Sequence, residues 1–350
     1  EQSTLTSAIM SKKILIMAGG TGGHIFPALA IAKELETKGA VIEWLGGKKG
    51  MECTLVPQHG FRFNGVYSSG LRGKKFTTLF KAIFLLSFGL LQTILVFIRF
   101  RPDKVIGMGG YASGIGGIIS KIFFTPLIIH EQNTIPGTTN KLLSKIAKKC
   151  FQAFDNTFHK DVHAITSGNP ILFTPNSKKT PDSVKNILIL GGSLGAQKIN
   201  QTIPNIKVPL NIWHQTGEKH FNEVKALYVN SIHSEVKIEA FIDNMAEAYA
   251  WADLVICRAG AMTVSELIAS KTIAILIPFP FAIDNHQTVN AQHLSKNGAG
   301  ILVTEADFNS ARIEKELLAL DSKKLDEMTK KLELLSVPNP QMIIADYLLC

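Results

Sequence analysis

The 350-residue chain is 46% hydrophobic and 19% charged, which excludes a disordered or collagen-like polymer and gives enough length to bury two cores. Its formal charge of +9 is unevenly held, with 20 Lys/Arg against 9 Asp/Glu in residues 1–170 and 17 against 19 in residues 171–350, so the first half faces something anionic, either nucleic acid or a phospholipid surface. Cys53, Cys150, Cys257 and Cys350 lie far apart without a CxxC pair, which argues against a zinc site or a disulfide framework and fits a reducing cytosol.

Taken in chain order, the N-terminal stretch has no basic segment ahead of a long apolar one and does not read as a signal peptide; Met10 reads as the natural start. Lys12 to Ala18 is an apolar strand that enters Gly19-Gly20-Thr21-Gly22-Gly23-His24 and leaves as a helix from Phe26 to Lys38, the signature of a buried parallel strand meeting its first helix. Further strands are expected at Ala40–Leu45, Lys104–Met108 and Pro126–His130. The pattern then restarts with a strand at Lys185–Leu190, the turn Gly191-Gly192-Ser193-Leu194-Gly195-Ala196 and a helix, followed by strands at Asn211–His214, Leu254–Cys257 and Ile273–Ile277. Two such arrays predict an α/β protein of two doubly wound domains facing each other, residues 10–168 and 169–337, with the boundary at Gly168-Asn169-Pro170. Pro338-Asn339-Pro340 breaks a helix ending near Leu335, and the segment 338–350 is expected to pack back on the first domain.

Residues Phe76–Phe100 form a separate problem, because Ala82 to Ile98 is almost wholly apolar yet slightly short for a membrane span. Phe76, Phe80, Phe84 and Phe88 recur every fourth residue. No acidic residue occurs from Cys53 to Pro102, while Arg62, Arg72, Lys74, Lys75, Lys81, Arg99 and Arg101 are basic. An apolar face rimmed by cations predicts peripheral contact with anionic lipid through Lys74, Lys75, Phe76, Phe80, Lys81, Phe84 and Phe88, against the alternative of a buried helix.

Both glycine turns place backbone N–H groups at a helix start, where phosphate is stabilised. Neither fits the dinucleotide fingerprint, since Gly20 and Gly22 put Ile25 in the third glycine position, although Glu43 keeps a ribose-binding alternative open. Arg258 to Glu266 is another strand-to-helix turn of small residues; Glu266 there can accept from two ribose hydroxyls, or simply sit as a charge near the helix start. His130-Glu131-Gln132-Asn133 ends a strand at the edge where α/β sheets bind ligands.

Five motifs in order, GGTGGH, Gly107 to Gly114, HEQN with Pro136-Gly137 and Thr139-Asn140, GGSxGA, and Arg258 to Glu266, resemble the MurG glycosyltransferases. These are bacterial UDP-N-acetylglucosamine:undecaprenyl-diphospho-muramoylpentapeptide N-acetylglucosaminyltransferases, and the resemblance runs from Lys13 to Ala345. It implies a GT-B fold of two Rossmann-like domains around a cleft, with donor sugar nucleotide in the second and lipid-linked acceptor in the first. By that resemblance the backbone at Ile242 reads uracil, Glu266 the ribose, and Ser193 with Ala261, Met262 and Thr263, followed by Val264 and Ser265, the diphosphate. Gln287 would contact the sugar, Thr21, Gly22, Gly23 and Asn133 would border it, and Tyr111, Glu131 and Asn140 fall on the acceptor side. His24 is the candidate base, its imidazole being suited to take a proton near neutral pH, and Glu131 is its rival.

Three positions depart from the family pattern: Leu194 for a glutamine, Leu172 for an arginine after Gly-Asn-Pro-x, and Ile115 for a proline. The implied activity is inverting transfer of GlcNAc from UDP-GlcNAc to the C4 hydroxyl of MurNAc in lipid I, giving lipid II for peptidoglycan at the cytoplasmic face of the inner membrane. No Asp-x-Asp occurs, so neither a metal nor another cofactor is expected, and no nucleic acid. Other cell-wall synthesis proteins are possible partners. A UDP-GlcNAc 2-epimerase of the same fold and a non-enzymatic nucleotide-sugar sensor are the alternatives.

Overall fold

The computed structural model describes residues 11–67, 76–176, 179–282 and 285–350, and their side chains outside 76–86. It divides into two compact units. Unit 1 holds the described residues of Glu1–Gln132, Pro136–Leu172 and Asn339–Cys350, and unit 2 those of Asn133–Ile135 and Phe173–Pro338. Residues 169–172, which the sequence assigns to the second domain, fall with the first, because Asn169 Nδ2 donates to Gln132 O at 2.9 Å and Leu172 packs against the unit 1 core.

Unit 1 contains β1 Lys13–Met17, α1 Gly22–Thr37, β2 Val41–Gly47, α2 Glu52–Gln58, β3 Arg62–Val66, α3 Phe76–Phe100, β4 Lys104–Gly107, α4 Gly110–Ile122, β5 Leu127–Glu131, α5 Thr138–Leu143, β6 Lys149–Gln152 and β7 Ile165–Thr166. Its seven parallel strands run in the order β3-β2-β1-β4-β5-β6-β7, the order of a doubly wound sheet that reverses direction between β1 and β4. The strands alternate their apolar residues between two faces. Ile14 and Ile16 of β1 pack with α1 beneath one face, and Leu15 and Met17 pack with Val96, Phe97 and Phe100 of α3 on the other.

Unit 2 contains β8 Asn186–Leu190, α6 Gln197–Thr202, β9 Asn211–Gln215, α7 Phe221–Leu227, β10 Glu235–Glu239, α8 Met245–Trp251, β11 Leu254–Cys257, α9 Ala261–Ser270, β12 Ile273–Leu276, α10 His286–Lys296, β13 Ile301–Leu302, α11 Ser310–Leu318 and α12 Ser322–Leu335. Its six parallel strands repeat the winding as β10-β9-β8-β11-β12-β13. A final helix, α13 Pro340–Leu349, returns to unit 1, where Ile344, Ala345 and Leu348 are wholly buried in the α1 side of the core. Lys104 Nζ donates to Tyr347 O at 2.8 Å and Lys38 pairs with Asp346.

Helix α3 buries Gly89, Thr93, Val96, Phe97 and Phe100, and its outer side shows Phe88, Leu91, Leu95 and Ile98, with Leu95 65% exposed. No helix among the described residues is long and apolar enough to cross a membrane. Lys74 and Lys75 lie outside the described residues, as do the side chains of Phe76, Phe80, Lys81 and Phe84. Two members of the expected cationic rim, Arg62 and Arg99, share the single buried carboxylate of Glu43, which offsets one of their two charges. The same pairing, with Asn64 Nδ2 donating to Glu43 at 2.8 Å, removes Glu43 as a ribose ligand.

Candidate active site

In unit 1, β1 leads through Ala18–Thr21 into α1. Behind this turn stands Glu52, 1% exposed at the start of α2, whose Oε1 accepts from Gly47 N–H at 3.0 Å and Oε2 from Gly20 N–H at 3.3 Å. A Cβ at Gly19 would collide with this carboxylate, so the chain needs glycine there. One N–H group of the turn expected to cradle phosphate, that of Gly20, is thus given to a carboxylate. Sequence reasoning missed Glu52, a lone acid in an undistinguished Met-Glu-Cys.

His24 lies in the first turn of α1 with Nδ1 3.3 Å from Gly19 O. A carbonyl only accepts, so Nδ1 carries a proton, and in the neutral ring Nε2 is the basic nitrogen. The ring lies against the second glycine turn, where Gly109 and Gly110 have φ of 106° and 76°; a Cβ on Gly109 would come within 3.1 Å of His24 Nε2. Ser113 staples that turn to β1, accepting from Gly109 N–H at 3.0 Å with its hydroxyl 2.6 Å from Met17 O. Tyr111, in the first turn of α4, is half exposed.

The end of β5 is built differently from the sequence expectation. Glu131 is buried and its Oε2 accepts from Gly137 N–H at 3.0 Å and from Asn140 Nδ2 at 2.9 Å, while Asn140 Nδ2 also reaches His130 O. Glu131 and Asn140 are therefore struts that shape the 131–140 loop, and one oxygen of the buried Glu131 is committed to that task. His130 is wholly buried; Nε2 donates to Gly168 O at 3.0 Å and Nδ1 accepts from Gln132 Nε2 at 3.1 Å. Burial pushes its pKa down to about 4, so it stays neutral.

In unit 2, β8 leads through Gly191–Ala196 into α6. Gly195 has φ of 78° and a Cβ there would collide with Thr216 O; Gln215, buried at the end of β9, donates from Nε2 to Gly192 O at 3.1 Å. Gln215 Oε1 in turn accepts from Ile242 N–H at 3.0 Å, so within the Ile242 backbone, expected to read uracil, the N–H is already used. A cavity of about 650 Å³ opens over this turn, lined by Gly191–Lys198, Gln201, Arg258, Gly260, Thr263, Phe279, Gln287 and Glu305. Ser193 is exposed, and Leu194 projects into solvent at 79% exposure.

Beside the cavity, β11 feeds α9 through Arg258–Gly260. Ala261, Val264 and Ser265 are buried, with Ser265 Oγ bonded to Ala261 O, so at these positions only backbone can face a ligand. Met262 and Thr263 are half buried. Glu266 Oε2 accepts from Tyr249 Oη at 2.9 Å, and its enclosed setting pushes its pKa up to about 7. Gln287 Oε1 accepts from Phe279 N–H, which leaves its amide nitrogen for a ligand. Asn290, buried in α10, accepts from Thr134 N–H and Oγ1, which fastens the Asn133–Ile135 segment into unit 2. Among the described residues no group of three or more His, Cys, Asp or Glu is placed to hold a metal ion.

This arrangement matches known proteins over its whole length. Residues 14–152 match the glycosyltransferase family 28 N-terminal domain and residues 186–340 its C-terminal domain. A relative from Vesicomyosocius okutanii is 53% identical over 97% of this chain and 98% of its own; one from Methylococcus capsulatus is 44% identical over 89% and 90%. Both are named UDP-N-acetylglucosamine--N-acetylmuramyl-(pentapeptide) pyrophosphoryl-undecaprenol N-acetylglucosamine transferase. The crystal structure of Acinetobacter baumannii MurG superimposes with a TM-score of 0.81 at 34% identity, covering 96% of this chain and 99% of that one. The calicheamicin glycosyltransferase CalG4, at 13% identity and a TM-score of 0.70, shares the fold. The chain thus belongs to glycosyltransferase family 28, among its MurG-type N-acetylglucosamine transferases.

Proposed function

We propose that the chain transfers N-acetylglucosamine from UDP-GlcNAc to the C4 hydroxyl of MurNAc in undecaprenyl-pyrophosphoryl-MurNAc-pentapeptide with inversion, forming the lipid-linked disaccharide of peptidoglycan. The observation that carries the donor half is the unit 2 cavity, whose volume suits a nucleotide sugar and whose floor is a glycine turn open to a ligand. Glu266 accepts from the ribose hydroxyls, the Ile242 carbonyl meets the uracil edge, and the backbone from Ser193 and from Ala261 to Thr263 at the start of α9 faces the diphosphate. Gln287 Nε2 donates to sugar hydroxyls, and Thr21, Gly22, Gly23 and Asn133 border the neutral sugar.

His24 Nε2 takes the proton of the C4 hydroxyl as its oxygen attacks C1 of GlcNAc. The C1–O bond breaks, and UDP leaves with the bonding electrons into the N–H groups of unit 2. Charge on the leaving group is balanced by these groups without a metal ion. Tyr111 is the exposed acceptor-side contact, while Glu131 and Asn140 hold the loop beside it.

The acceptor's polyprenyl tail stays in lipid, so the enzyme works at the cytoplasmic face of the membrane, peripherally. Phe88, Leu91, Leu95 and Ile98 on α3, with Ile118, Ile122 and the 93%-exposed Phe124 at α4, offer the apolar surface, and the lysine excess of the first half supplies attraction to anionic headgroups. The test is turnover of labelled UDP-GlcNAc with a short-chain lipid I analogue: a β-1,4-linked disaccharide product is expected, and release of free GlcNAc or its epimer alone overturns the reading.

A further inference from the structure

The charges lining the unit 2 cavity are not equivalent. Among its described lining residues the charged ones are Lys198, Arg258 and Glu305. Arg258 is committed: one guanidinium nitrogen pairs with Glu305, the other donates to Ile277 O at 3.1 Å and Pro278 O at 3.3 Å, and the group lies over the Phe279 ring at 5.4 Å. Its positive charge is offset in place by Glu305, and Nη1 is occupied by the two carbonyls just after β12. Lys198, second residue of α6, is exposed and has no hydrogen-bond or ion-pair partner among the described residues. The cavity therefore carries one uncompensated positive charge, on a long stem directly after the Gly191–Ala196 turn.

We infer that Lys198 binds the diphosphate of the donor and holds the UDP leaving group. This rests on the donor reading above and adds to it a residue that none of the motif positions includes. Leu172 and Leu194, two of the three departures from the family pattern, place apolar side chains against the unit 1 core and in solvent respectively, so neither offers a cation. An ammonium on a flexible stem acts as a point charge rather than a fork, and it follows phosphate oxygens as charge shifts from the sugar bond to the terminal phosphate. Because free UDP bears more charge than UDP-GlcNAc, Lys198 favours the departing state over the ground state.

Calorimetry on the full chain separates this from a solvated lysine. Lys198→Ala is expected to weaken UDP binding about tenfold and UDP-GlcNAc binding about threefold, with uridine binding unchanged; Lys198→Arg restores UDP binding, and the fall in UDP affinity between 50 and 300 mM NaCl is shallower in Lys198→Ala. Steady-state turnover of Lys198→Ala falls in kcat as well as rising in donor KM. Unchanged UDP affinity in Lys198→Ala, or equal losses for UDP and uridine, overturns the assignment of Lys198 while leaving the donor reading intact. A parent chain that binds neither UDP nor uridine overturns the donor reading itself, and with it the role of Lys198.

Discussion

The two glycine turns look interchangeable as sequence, yet they are supported from opposite directions. The first is backed by an anion: Glu52 accepts from the turn's own Gly20 N–H, and glycines at 19 and 50 stand where a side chain would strike that carboxylate. The second is backed by neutral groups, the Thr216 carbonyl beneath Gly195 and the Gln215 amide beneath Gly192, and it looks out on a cavity with a single uncompensated lysine among its described residues. One strand-turn-helix element is thus backed in two chemically different ways. A carboxylate behind a turn disfavours an anionic neighbour, whereas a neutral backing sets no such charge against an oxyanion.

The contrast can be broken most severely at the backbone. Gly195→Ala combines a left-handed φ with a collision against Thr216 O and should cost roughly 3 to 5 kcal/mol, whereas Gly20→Ala, also left-handed but with nothing within 4 Å of the new Cβ, should cost about 1 kcal/mol. Thermal unfolding of the two variants checks the difference, and UDP binding should vanish only in the first.

Next in size is His24→Ala. It should lower kcat at least about a hundredfold with UDP affinity retained, since the base sits on one unit and the donor cavity on the other. Near-normal kcat in rapid-mixing assays would remove His24 from the proton transfer.

Removing the anion behind the first turn tests its backing role. Glu52→Ala orphans the Gly20 and Gly47 N–H groups and should destabilise unit 1 by about 2 to 3 kcal/mol, read as a lower first unfolding transition, while UDP still binds unit 2.

The smallest effect is graded by pH. Glu266 must be ionised to accept from two hydroxyls, and its pKa is raised to about 7, so donor KM should rise about tenfold between pH 8 and pH 6 and flatten in Glu266→Gln. The folding contribution has the opposite sign. A carboxyl raised from 4.5 to about 7 contributes stability that is present in full below 4.5 and lost as pH rises to about 7, so Glu266→Gln should also flatten the decline expected between those pH values in denaturant titrations.

What the sequence made legible follows burial. The strands β1, β8, β11 and β12 are covered on both faces and read as unbroken apolar runs such as Ile14–Met17 and Leu254–Cys257. The strands missed, β3, β6, β7, β10 and β13, are short or lie toward the sheet edges, where exposed charged residues such as Lys237 interrupt the run. The same limit applies to the site. His24 and Glu266 announced themselves by standing at glycine and small-residue turns, but Glu52, Gln215 and Asn290 act across 27 or more residues of sequence, or through a buried backbone N–H, and nothing local marks them. Asn140 and Glu131 sat in a motif yet face inward, because a motif reports that a residue matters to a loop without reporting which way it points.

The return of α13 to unit 1 has a consequence in time. A ribosome that has finished the Leu172 end of unit 1 must still make all of Phe173–Pro338 before Ile344, Ala345 and Leu348 can enter the first core. At typical bacterial elongation rates that interval is roughly 10 to 35 s. Throughout it the α1 face lacks its cover, and the half-made chain presents the apolar underside of α1 to its surroundings. The older half of the molecule is therefore completed by its youngest helix, and the nascent polypeptide keeps apolar surface uncovered for longest at its oldest end.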